Sequence, residues 1–121
     1  MTEQNGTMTS TTPPIEKRIP ALVARIHRAI PGCEVRMFGS RARGSAGPDS
    51  DIDLLITAPD EWMQSHHRYQ VLGDLSQALA QPDVSLDLLL FSRSECNERR
   101  HWLNHVIARA YREGVVIDGA H

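Results

Sequence analysis

Met37-Phe-Gly-Ser-Arg-Ala-Arg-Gly-Ser-Ala-Gly-Pro-Asp-Ser-Asp-Ile-Asp-Leu-Leu-Ile56 is the stretch on which the reading of this chain turns. The apolar run from Val35 to Phe38 predicts a short strand that ends at Gly39. Glycine has no Cβ, so a phosphate can approach the backbone closely there. Ser40 adds a hydroxyl and a backbone N–H where a helix is expected to begin, a favourable place for phosphate. Arg41 and Arg43 supply local positive charge, and the sequence leaves open which of them points inward. Ala46-Gly47-Pro48-Asp49 reads as a turn. Ile52, Leu54 and Ile56 then alternate with Asp51, Asp53 and Leu55, the period of a strand. Asp51 and Asp53 are two apart on it, so their carboxylates project from one face. Such a pair can hold Mg²⁺, which prefers carboxylate and phosphate oxygens.

Working outward, Ile15, Ile19, Leu22, Val23, Ile26 and Ile30 recur at helical spacing until Pro31-Gly32 stops them. Pro20 lies inside this pattern, which predicts a regular helix from near Pro20 with a kinked lead-in. Residues 1–14 are rich in Thr, Ser and Pro and read as a flexible tail, leaving 15–121 as one domain. Past Pro59, a polar region with Trp62, His66 and His67 leads into a helix expected over Tyr69 to Ala80. Val84 to Phe91 reads as a third strand, central because it is dense in leucine. Ser94 can cap a long final helix carrying Trp102, Leu103, Val106, Ile107 and Ala110, with Trp102 and Leu103 expected in the core. Gly114 fits its stop, and Val115 to Ile117 can add a last short strand. Alternation of helices and strands indicates an α/β or α+β sheet domain.

Asp87 lies on the leucine-rich strand, where a charge is costly to bury unless it is paired or coordinates a metal. If strands 84–91 and 50–57 are neighbours, Asp87 completes a carboxylate triad with Asp51 and Asp53. A divalent ion held there would bridge phosphates, and with a second ion Asp87 could activate an attacking hydroxyl. The chemistry suited to this set is attack at a phosphoryl centre with pyrophosphate leaving.

Bulk composition narrows the partners. The 121 residues carry a formal net charge of -2, so no broad cationic surface for long nucleic acid is expected. No apolar run is long enough to span a membrane. Cys33 and Cys96 match no metal or redox spacing and read as free thiols in a reducing compartment, which points to the cytoplasm. His101 and His105 have the i, i+4 spacing of a metal pair but no evident third ligand, so a solvated or interface face is the simpler reading. His66-His67 reads the same way. Trp62 suits either a partner contact or a cap over the sheet.

Gly39-Ser40, ten residues, then Asp51-Ile52-Asp53 resembles the signature of the polymerase-β-like nucleotidyltransferase superfamily. The small size is similar to its minimal nucleotidyltransferase branch, whose members are often antitoxins paired with a HEPN-domain ribonuclease toxin. The resemblance covers roughly residues 17–118, with 36–57 its specific part. It implies a mixed sheet flanked by helices, nucleotide binding by Gly39, Ser40, Arg41, Asp51 and Asp53, and Mg²⁺ binding by Asp51 and Asp53. Asp87 would be the third, catalytic carboxylate. It further implies transfer of AMP from ATP to a tyrosine of a partner toxin. A non-catalytic antitoxin acting by contact, or a transferase for a small molecule or an RNA end, are the competing readings. The acceptor-gripping helical domain of larger relatives is missing, which favours an acceptor arriving as a protein surface.

Overall fold

A computed structural model describes residues 13–47 and 50–117. Residues 1–12 of the tail expected over 1–14 lie outside the described residues, as do Pro48 and Asp49 of the expected turn and residues 118–121. The described chain runs α1 (Ile15–Ala29), β1 (Glu34–Phe38), α2 (Ser40–Arg43), β2 (Ile52–Ala58), α3 (Asp60–Gln64) and α4 (Arg68–Leu79). It continues through β3 (Leu86–Ser92), α5 (Arg93–Arg99), α6 (Val106–Glu113) and β4 (Val115–Val116). The strands form one mixed sheet in the order β3-β2-β1-β4. β2 is antiparallel to β1 and parallel to β3, and β4 is antiparallel to β1.

Strand alternation gives the sheet two apolar faces. Val35, Leu54, Ile56, Leu88 and Leu90 pack under α1 and α4, which contribute Ile19, Val23, Ile26, Leu75 and Leu79. Phe38 and Leu55 lie on the opposite face beneath Cys96 of α5 and Ile107 and Ala110 of α6. The result is three layers, helices on both sides of a mixed sheet, as the α+β reading expects.

Several local readings are corrected. α1 begins at Ile15 and passes through Pro20 without stopping. Pro20 faces solvent and costs one backbone hydrogen bond, while Ile15 and Ile19 on the other side are buried. Residues 60–64, read as a polar segment, form α3, where Trp62 packs on the core and stacks on His66 at 3.8 Å. β3 is an edge strand, not a central one. Its leucines reflect helices packed against the sheet near both of its faces, and they say nothing of neighbours on both sides.

The long final helix is in fact two. Ser92, not Ser94, caps α5 through a capping box with Glu95, while Ser94 donates its N–H and hydroxyl to Asp60. The helix ends at Arg99. Asn104 takes a left-handed φ of 61°, and the His105 Nδ1 accepts the Ile107 N–H to start α6. Trp102 and Leu103, expected in the core, are 46% and 92% exposed in the intervening loop. His101 and His105 therefore do not share a helix face. Gly114 closes α6, and β4 follows as expected.

Candidate active site

The row that matters is Phe38–Asp53–Asp87. In the β1–β2 ladder Phe38 is directly opposite Asp53, and in the β2–β3 ladder Asp53 is directly opposite Asp87. The two aspartates thus project side by side from the face that α5 and α6 cover further along. Asp51 is two residues before Asp53, at the entrance to β2. Asp53 is half-buried, whereas Asp51 and Asp87 are exposed. The charge on Asp87 therefore meets solvent at a sheet edge and has no burial to offset.

Burial, repulsion by Asp87 and Asp51, and a hydrogen bond with Asp87 hold the Asp53 carboxyl above its ordinary range, against the attraction of Arg109. A cation between these carboxylates would relieve that repulsion. Among the described residues no three His, Cys, Asp or Glu side chains are close enough to form a closed metal site by themselves.

Gly39 is required by this same row. Its backbone takes φ 78° and ψ -160°, a region almost reserved for glycine. A Cβ at Gly39 would overlap the Asp53 Oδ2. The missing side chain therefore leaves the space that the Asp53 carboxylate occupies. The Gly39 carbonyl accepts from the Ala42 and Arg43 N–H groups at 3.1 Å, which sets Ser40 at the first position of α2.

The two arginines of this segment separate. Arg41 is almost fully buried; its Nε and Nη2 donate to the Ser50 carbonyl at 3.0 and 2.8 Å, and its Nη1 to Glu16 at 2.8 Å. It therefore holds down the segment that delivers Asp51. Arg43 reaches Glu113 at 3.0 Å and ties α2 to α6.

Arg109 is the site residue that sequence reasoning missed. It lies on α6 with its guanidinium 5.7 Å from the Phe38 ring centroid, and it is the cation acting on Asp53. Its Nε donates to Glu113 at 3.2 Å. Only the packing of α6 back over β1 brings it there, so no local spacing could reveal it. The cysteines take no part: both are buried free thiols, and burial pushes Cys33 up to about 11.

A mixed sheet between helices, with a glycine turn set against a strand-borne acidic row, is the architecture in which the chain meets known transferases. Residues 19–109 match the family described as "Nucleotidyltransferase domain". The chain belongs to that family, and the matched segment contains Gly39, Ser40, Asp51, Asp53, Asp87 and Arg109. A nucleotidyltransferase structure from Sulfolobus solfataricus shares the fold at 21% identity and a TM-score of 0.54, over 83% of this chain and 76% of that one. A toxin–antitoxin structure with AMP-PNP aligns at 22% identity and a TM-score of 0.49, over 84% of this chain and 74% of that one. A mutant of the toxin–antitoxin MntA-HpeT aligns at 23% identity and 0.47, covering 88% and 73%. No curated protein matches the chain. Among the described residues no helix is long and apolar enough to cross a membrane.

Proposed function

We propose that this protein transfers AMP from ATP, with Mg²⁺, to a hydroxyl of a partner protein. By its resemblance to minimal nucleotidyltransferases, that partner is a HEPN ribonuclease toxin and the acceptor a tyrosine, which makes the chain an antitoxin acting in the cytoplasm. The observation that carries the chemistry is the direct pairing of Asp53 with Asp87 across β2 and β3, beside the glycine turn that makes room for Asp53. Asp53 and Asp87 would hold the metal, with Asp51 at the entrance to β2 beside them; the metal's chemistry is to neutralise phosphate charge and lower the pKa of a bound hydroxyl. Gly39 and Ser40 receive the phosphates. Arg109 offers positive charge to the same phosphates, while Arg41 acts through the Ser50 carbonyl by fixing the approach to Asp51.

In the transfer, the acceptor oxygen bonds to the α-phosphorus and the bond from that phosphorus to the bridging oxygen breaks. Pyrophosphate leaves, and the hydroxyl proton passes to the Asp87 carboxylate. Because Asp51 and Asp87 both face solvent, this end of the sheet is accessible to a hydroxyl carried on a macromolecule. Calorimetric titration with ATP is expected to give tight binding only with Mg²⁺ or Mn²⁺, and equal affinity in EDTA would overturn the reading. Incubation with ATP, Mg²⁺ and the toxin encoded alongside should raise that protein's mass by one or more AMP units. A stable complex without any mass change would favour inhibition by contact.

A further inference from the structure

The overall charge of -2 conceals a local imbalance: residues 99–112 hold four arginines, flanked by two glutamates, Glu98 at 4.0 Å from Arg99 and Glu113 at 3.2 Å from Arg109. They span the end of α5, the 100–105 loop and most of α6. Within the loop, residues 101–104 are all exposed, and Leu103 is the most exposed large apolar side chain at 92%. The loop is nevertheless braced from below. The Arg99 guanidinium stacks 5.5 Å from the Trp102 ring centroid, His105 meets that ring edge-on at 5.4 Å, and Arg100 lies 4.2 Å over Tyr111. Beside the loop, a cavity of about 320 Å³ is lined by Asn104, His105, Val106, Arg109 and Arg112.

We propose that this loop and the outer side of α6 form the docking surface for an acidic protein segment. Leu103 is its apolar anchor, and Arg112 receives a carboxylate, while Arg109 stays with Glu113 and Asp53. Guanidinium–carboxylate pairs are directional and strong, and arginine is among the residues enriched in interface hot spots. A nucleic acid fits less well, because bases gain from flat aromatic faces and the Trp102 ring is already flanked by Arg99 and His105. A membrane surface fits less well too, since the apolar side of α6, with Ile107 and Ala110, is buried on the sheet and leaves little to insert. Arg109 lies 5.7 Å from the Phe38 ring centroid, and Phe38 is directly opposite Asp53, so the surface runs to the margin of the carboxylate row. A segment held here would carry its own chain towards the reacting end of the sheet. The inference rests on the reading that the acceptor is a protein, and it names the chemistry of that protein's contact surface.

The test uses the full chain and four probes: a fluorescent peptide of glutamate and leucine, its lysine–leucine counterpart, an oligouridylate and phosphatidylserine vesicles. Anisotropy at low salt should show binding of the acidic peptide only, weakening as salt rises. Amide shifts in a nuclear magnetic resonance titration should concentrate at 100–105 and 109–112. Leu103→Asp and Arg112→Glu should each weaken the acidic peptide about tenfold or more. A preference for any other probe overturns the proposal, and so does binding that neither substitution alters. Calorimetry with Mg²⁺ and ATP on the same variants keeps the two readings separate. Leu103→Asp should retain wild-type nucleotide affinity, and a wild-type chain that binds the acidic peptide but no nucleotide would sink the transferase reading alone.

Discussion

Two stretches of opposite charge meet over one face of this sheet, and they are held in different ways. Asp53 and Asp87 are fixed by the pleat: neighbouring strands in register leave their carboxylates no choice but to stand together. Arg99 ends α5, Arg100 opens the loop, and Arg109 and Arg112 lie on α6; rings brace the first three, and Glu113 also holds Arg109. The acidic row accordingly pays a standing electrostatic cost in one rigid geometry, whereas Arg100, Arg109 and Arg112 of the basic stretch are exposed. A group that must meet a phosphorus atom belongs on the first kind of support, and one that meets a partner can sit on the second.

The largest effect expected at the acidic row comes from Asp53→Asn. The amide keeps the shape and removes the charge, so transfer should fall by roughly a thousandfold or more in single-turnover assays. Stability should move the other way. Because the folded state holds the Asp53 proton more tightly than the unfolded chain, stability declines as pH rises from the unfolded value of about 3.9 through the raised folded one. In EDTA, melting temperature followed across that window should fall less in Asp53→Asn than in wild type. An unchanged pH slope would remove Asp53 from its strained pairing.

Gly39→Ala tests the same row from the turn. The residue would have to hold a glycine-only backbone conformation and push on the Asp53 carboxylate. A loss of about 1–3 kcal/mol is expected from backbone strain, read by urea denaturation, together with loss of metal-dependent nucleotide binding. If stability falls and nucleotide affinity survives, the turn supports the fold without shaping the site.

Across the molecule, Ser92→Ala removes the cap of α5 and should cost about 1 kcal/mol. Burial alone would raise the Glu95 carboxyl, but the Ser92 N–H and Arg68 together bring it below its ordinary range. Its stabilisation is therefore present above the unfolded value of about 4.3 and is lost as pH falls. Alanine keeps that N–H, so Ser92→Ala should leave most of the acid-side loss in place; Arg68→Met should shrink it, and a full-sized loss in Arg68→Met would assign it to other carboxylates.

How much of this could be read in the sequence follows the same division. Gly39, Ser40, Asp51 and Asp53 are legible because a turn and a two-residue period act over a few bonds. Asp87 is legible as a charge among leucines, although its neighbour is set only by the β2–β3 pairing. Arg109 is invisible, since its place depends on α6 folding back over β1. The break between α5 and α6 is hidden as well. Trp102, Leu103, Val106 and Ile107 keep an apolar helical spacing straight through it, and the break includes an asparagine with positive φ, a conformation asparagine tolerates but does not announce.

That misreading yields the prediction of smallest effect and clearest meaning. If Leu103 were part of a continuous helix and a core residue, Leu103→Ser would open a cavity and strand a hydroxyl, costing about 2–5 kcal/mol. At 92% exposure it has almost no packing to lose, so the change should stay within about 0.5 kcal/mol. Ile107, four residues on and fully buried beside Phe38 and Leu55, supplies the control: Ile107→Ala should cost about 2–5 kcal/mol. Both variants can be compared by urea denaturation at one pH, with the slope checked so that only the midpoint moves. Equal losses would restore the continuous helix and bury the loop. A silent Leu103→Ser beside a damaging Ile107→Ala would leave that leucine with no role in holding the fold, as a contact residue for another chain should be.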